Sequence, residues 1–259
     1  MTIQQQDWSD LRKAKRLLEN PGLAAKITNL LGTPIEKGFG LLPGNWSVKI
    51  GEMTRAALSK AVHAAVFTMK DSPGEDASNR WHKLAVATTG GLGGFFGLPA
   101  LAVELPISTA IMLRSIADIA RSEAETIHTI GTQIACIEVF ALGGPSMGDD
   151  ASESGYFAVR AALAQSVSKA AEHIAEKGLA EESAPALVRL IIQVAERFSI
   201  QVSEKAAAQA IPAIGAAGGV IVNTLFIDHF QDMARGHFIV RRLERKYGRD
   251  LVKETYKAV

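Results

Sequence analysis

A chain of 259 residues, 47% apolar and 21% charged, can bury a sizeable core, which excludes disorder throughout. Lys and Arg total 28 against 27 Asp and Glu, so there is no basic excess to collect polyanions, and no nucleic-acid partner is expected. The single cysteine, Cys136, excludes an internal disulfide; set in an apolar run, it reads as a buried, reduced thiol.

The opening stretch (MTIQQQDWSDLRKAKRLLEN) carries charges where a signal peptide needs an apolar core, so a cytoplasmic address is expected. Trp8, Leu11, Lys15 and Leu18 recur at helical spacing, and Asn20-Pro21-Gly22 is the stop. Thr33-Pro34-Ile35-Glu36 reads as a capping box with Pro at the first helical position. Residues 48–69 predict a long alanine-rich helix, followed by helices over 81–103 and 106–121. Ser122-Glu123-Ala124-Glu125 reads as a second capping box, starting a helix that runs to about Leu142. A glycine-rich polar loop follows over 143–155. Tyr156, Val159, Leu163, Val167, Ala170 and Ile174 form one apolar stripe. Leu187, Leu190, Ile191, Val194, Phe198 and Val202 form the next, with Ser183 as its cap. The last helices are expected over 213–236 and 237–247. Alternating period-two runs are missing, so the fold class is all-α, in a single multi-helix domain spanning 1–259.

Two segments stand apart. Residues 84–103 (LAVATTGGLGGFFGLPALAV) hold twenty positions without a charge, and residues 206–227 (AAAQAIPAIGAAGGVIVNTLFI) hold twenty-two. Both are long enough to span a bilayer, and both are also the composition of central helices buried on all sides. Gly90, Gly94, Gly97, Gly215 and Gly219 fall at the small-residue spacing that lets helices approach closely, and Asn223 is placed to bond across such a contact.

These segments carry a family resemblance. GGLGGFFGLPALAVELPISTAIMLRSIADIA (90–120) resembles the central signature of the bacterial EcsC protein family. The stretch from Val202 to Gly248 is similar to its C-terminal signature, and LAAKITNLLGTPIEKGFGLLP (23–43) to its N-terminal part. The resemblance implies an all-helical protein over about residues 20–250. The family takes its name from a gene that neighbours an ABC transporter, so the resemblance also points to a transporter as a partner. It supplies no catalytic residues.

Several patterns bear on chemistry. Gly144-Pro145-Ser146-Met147-Gly148 matches G-x-S-x-G, but that motif needs a strand before it and the preceding run reads as helix. Glu125-Thr126-Ile127-His128 is a lone half of a di-iron pattern that requires two copies. The glycines at 90–97 match neither a dinucleotide loop nor a P-loop, and no cofactor is expected. The best polar cluster is Asp228, His229 and Asp232, with Arg235 and His237 nearby. Carboxylates and an imidazole at helical spacing suit either a divalent cation or an internal network, with Glu104 and Asp118 as partners across a helix interface. Arg241, Arg242, Arg245 and Lys246, with Arg249, make a basic patch suited to anionic headgroups or to a solvated helix end.

Three functions remain open at this point. The first is a non-enzymatic binding or accessory protein, peripheral on the inner face of a membrane and linked to a transporter. The second is a metal-dependent hydrolase built on Asp228, His229 and Asp232. The third is a soluble helical scaffold. The oligomeric state is not encoded in any pattern found.

Overall fold

The computed structural model describes residues 3–19, 22–32, 34–65, 98–144, 155–177, 185–211 and 215–259. Ten α-helices and no strand lie among the described residues, so the fold is all-α. In chain order they are α1 (Gln5–Leu18), α2 (Leu23–Leu31), α3 (Glu36–Phe39), α4 (Trp46–Ala65), α5 (Leu98–Ser122), α6 (Ile130–Glu138), α7 (Gly155–Lys177), α8 (Pro185–Ala210), α9 (Gly215–Tyr247) and α10 (Arg249–Ala258).

The apolar stripes decide the packing. Leu187, Leu190, Ile191, Val194, Phe198 and Val202 are all buried on α8, and Tyr156, Val159, Leu163, Ala170 and Ile174 on α7. Phe198 meets Phe140, Phe226 and Phe230 at ring-centroid distances of 4.8, 6.0 and 5.3 Å, so three elements share one aromatic core. The helices α5 and α9 lie alongside and parallel. Glu104 meets Lys205, which lies over the Phe226 ring of α9, Gln231 Nε2 donates to Ser115 Oγ at 2.8 Å further along, and Glu125 reaches Arg241 towards the far end.

Helix ends depart from expectation wherever tertiary contacts compete with local signals. The helix predicted over 48–69 is described from Trp46 to Ala65. The break predicted between 103 and 106 is not present: α5 runs unbroken through Pro106. A mid-helix proline costs about 3 kcal/mol, partly by freeing the carbonyl four residues back. Here that carbonyl belongs to exposed Ala102, where water can satisfy it, and Leu101, Leu105, Met112 and Leu113 hold both halves in the core. The helices predicted over 213–236 and 237–247 are one, α9. Gly236 lies in its interior because a side chain there would collide with α1: a Cβ would meet Leu18 Cγ at 2.6 Å and the Ala14 carbonyl at 3.1 Å.

The capping box expected at Ser122 does not form. The first helix after Pro34 starts at Glu36 with no side-chain cap, and Thr33 lies outside the described residues. After Ser122 the chain turns instead of starting a helix, with Ala124 in the left-handed region at φ 60°. The next helix begins at Ile130, capped by Thr129 Oγ1, which accepts the Thr132 N–H at 3.4 Å. Glu125 is drawn away to arginines from α9, and those bonds outweigh a local cap.

Gly90, Gly94 and Gly97 lie outside the described residues, as do Ser183 and the serine of the G-x-S-x-G pattern. Gly219 and Asn223 are buried on α9, and Gly215 is its first residue. A close backbone approach is made by a different glycine. Gly38 of α3 sits directly against the backbone of Ala207 on α8, leaving no room for a Cβ.

Candidate functional site

The expected cation cluster does not converge. Asp232 pairs with Lys26 of α2, Oδ2 to Nζ 3.1 Å. His229 is buried, its ring wedged against Gly143 and Met233 and edge-on to Phe230 at 5.2 Å. Neither ring nitrogen has a hydrogen-bond partner, and burial pushes the imidazole pKa down to about 3. Asp228 is half-buried beside it. Among the described residues, no three His, Cys, Asp or Glu side chains gather as a metal ion requires. Glu104 and Asp118 pair elsewhere, Glu104 with Lys205 and Asp118 with Arg121. His237 is fully buried, with Nδ1 3.0 Å from the Tyr156 hydroxyl. Cys136 is buried, and desolvation drives its thiol pKa far above the ordinary value, as its apolar setting implied.

The basic patch is turned to internal use. Arg241 Nε donates to Glu125 at 2.9 Å, and Arg245 donates to the same carboxylate and to the Glu123 carbonyl at 3.2 Å. Arg242 meets Asp10 at 2.8 Å and Glu123 at 3.0 Å. Lys246 and Tyr247 both donate to Asp7, each at 2.7 Å. Arg160 grips Glu244 through two bonds of 2.7 and 2.9 Å. This lattice ties α9 to α1, to α7 and to the turn after α5. Lys246 and Tyr247 hold the Asp7 carboxyl below its ordinary pKa. At Glu125 burial pulls the pKa upward, but Arg241, Thr132 and Arg245 outweigh it and the net shift is down.

Glu204 behaves oppositely. Burial raises its pKa from 4.5 to about 7, against one opposing bond from the Ala24 N–H, and its Oε2 has no partner. The folded state therefore binds more protons between pH 4.5 and 7, so stability falls as pH rises through that window. Glu204→Gln is expected to stabilise the protein at pH 8 by on the order of 2 kcal/mol, and to match the parent near pH 4. Thermal melts across that pH range check it; a variant that melts below the parent at pH 8 refutes the protonation account.

The remaining feature is an end of the bundle. There the N-termini of α5 and α9, the C-terminus of α8 and the short α3 come together. Lys205 Nζ lies 2.7 and 2.9 Å from the two Glu104 carboxylate oxygens and 4.8 Å from the Phe226 ring centroid. Lys205 is 0% and Glu104 5% exposed. They are the only charges in residues 98–113 of α5, 205–210 of α8 and 215–227 of α9, and each neutralises the other. The same helices and their neighbours carry exposed apolar side chains: Val103 and Ile107 on α5, Ile200 on α8, Val220 and Ile221 on α9, Leu41 just past α3 and Val48 on α4. A groove of about 600 Å³ opens between α4 and α8, lined by Ser47, Val48, Glu52, Arg55, Ile192 and Glu196 among others. Among the described residues, no helix is long and apolar enough to cross a membrane.

The EcsC protein family model covers residues 5–243, nearly the whole chain. The chain belongs to the EcsC protein family. Neither a curated protein nor a solved structure matches it.

In this EcsC chain the family span contains the Glu104–Lys205 pair, Gly38 and Gly236, and stops short of Arg245 and Lys246. Sequence reasoning passed over Lys205, although a signal existed. Glu104 directly follows the first uncharged run and Lys205 directly precedes the second. Opposite charges bounding two long uncharged runs are placed to meet if the runs pack together. Tyr156, Arg160 and Glu244 had no comparable mark: each reads as an ordinary surface or core residue until the helices are docked.

Proposed function

We propose that this EcsC protein is a binding or accessory protein working peripherally at a membrane face, with a transporter as the kind of partner the family resemblance points to. One observation carries the reading. The helices that meet at the Glu104–Lys205 end carry exposed apolar side chains, while that pair itself is buried and mutually neutralised. Large apolar side chains exposed together mark a contact surface. The hydrolase reading finds no comparable support, because Asp232 engages Lys26 and His229 faces Gly143 and Met233.

The test is co-sedimentation of the purified full chain with vesicles made from a native polar lipid extract. A substantial fraction is expected to pellet with the vesicles and to stay soluble without them. Full recovery in the supernatant at every lipid concentration would remove the membrane from this reading.

A further inference from the structure

The apolar end and the ion-pair lattice sit at opposite ends of α9. Between Ile221 and Arg241 the helix rises about 30 Å, at 1.5 Å per residue. A membrane can therefore meet one of them without meeting the other, and the chemistry of each decides which.

At the lattice end, the four cations of α9 in the patch are already committed. Arg241 and Arg245 share Glu125, Arg242 lies between Asp10 and Glu123, and Lys246 holds Asp7. Binding a lipid phosphate would mean giving up a carboxylate already within bonding distance. At the other end, Val103, Leu41 and Ile221 are 69%, 55% and 39% exposed, and Glu104 and Lys205, the only charges in residues 98–113, 205–210 and 215–227, are buried. The edge of this patch has its own composition. Trp46 is half-buried against Phe39, ring centroids 5.5 Å apart, while Glu36, Lys37, Lys49 and Glu52 are exposed on the same α3–α4 corner. Apolar tips bordered by an indole and by balanced charges of both signs match the layering of a bilayer interface, with acyl chains inside and zwitterionic headgroups beside them.

From this we infer that the chain docks end-on into the interfacial layer of a lipid bilayer, through Leu41, Val48, Val103, Ile107, Val220 and Ile221. The inference rests on the membrane reading above and adds the face and the lipid chemistry. The contact is made by burial of apolar side chains at the acyl–headgroup boundary, and the α9 arginines take no part. Such binding needs no anionic lipid and is insensitive to salt, because it is not a charge attraction. The same end could instead receive a second copy of the chain, and the experiment separates the two.

The probe is flotation with uncharged phosphatidylcholine vesicles, at about 0.1 and about 0.5 M NaCl, the range over which screening lengths fall severalfold. The parent is expected to float equally at both salt levels and no better when anionic lipid is added. Val103→Glu and Ile221→Glu should each weaken partitioning about tenfold, the scale for losing one buried aliphatic side chain. Both sites are solvent-exposed, so melting temperatures should stay near that of the parent, which shows that folding is not at fault. If the parent floats but salt releases it, or if both variants float as well as the parent, the docking face is wrong while the membrane reading stands. If the parent floats with no vesicle of any composition, the membrane reading itself falls. Dimers in solution that Val103→Glu dissociates, without flotation, would assign the face to a second copy and overturn both.

Discussion

Lys205→Met is expected to destabilise the protein by about 3–5 kcal/mol, because it leaves the Glu104 carboxylate buried without its counter-charge. The pair is among the most enclosed charge in the described residues: Lys205 has no exposure and its ammonium reaches both Glu104 oxygens within 2.9 Å. Burial lowers the Lys205 pKa and Glu104 works against that, so the ammonium depends on its partner to stay charged. Glu104→Leu alone should be comparably harmful, since it strands the ammonium. The double variant, Glu104→Leu with Lys205→Met, removes both desolvation costs at once. It should recover most of the loss, as apolar replacements of buried pairs commonly do. Urea unfolding of the four proteins gives the coupling directly. A Lys205→Met variant within about 1 kcal/mol of the parent would mean the site is wet and the end of the bundle is not sealed.

Gly38→Ala is expected to have an effect of similar size for a wholly different reason. A methyl group at Gly38 would occupy the space of the Ala207 carbonyl group, and the obstacle is backbone. A clash with a flexible side chain is relieved by a rotamer change, but here α3 must move off α8. Overpacking of this kind costs roughly 1–3 kcal/mol and more when nothing can yield. The control is Gly51→Ala on α4, where a Cβ meets nothing within 4 Å. That change should stabilise by about 0.5–1 kcal/mol through helix propensity alone. Urea midpoints moving in opposite directions for the two variants is the expected outcome. Equal, small changes would show that α3 is not held against α8 as described.

The two variants also separate the reasons for the end's architecture. Gly38 brings α3 against α8 at Ala207, two residues beyond Lys205, so the corner with Leu41 is positioned beside the buried pair. Loss of either contact should loosen the surface argued to meet lipid. Binding measurements on those variants are therefore read only alongside their stability.

Much of the architecture was legible in the sequence. The α8 stripe is buried residue for residue, and the α7 stripe at every position but Val167, which is partly buried, because helical periodicity is a local property and burial of one face follows from it. The family signatures and the absence of period-two runs pointed to the same all-helical class. Boundaries were less legible. Pro106 and Gly236 are local stop signals, yet α5 and α9 run through them, since packing on both sides of each residue outweighs a cost of about 1–3 kcal/mol. Glu125 shows the same conflict: it has the spacing of a capping acid, and arginines 116 and 120 positions away claim it instead.

The sequence by itself determined the helical class, the core stripes, the buried thiol and the two uncharged runs, all of which depend on composition and near-neighbour spacing. Only the tertiary structure decided what the charges do. Arg241, Arg242, Arg245 and Lys246 form a basic patch when read along one helix, but Asp7, Asp10, Glu123 and Glu125 come to it from distant parts of the chain. Asp228, His229 and Asp232 share a helix stretch in sequence, but side chains three and four apart are aimed by what packs over them, here Lys26 on one and Gly143 on another. Electrostatic pairing acts through space over a few ångströms, and chain spacing fixes that distance only within one element.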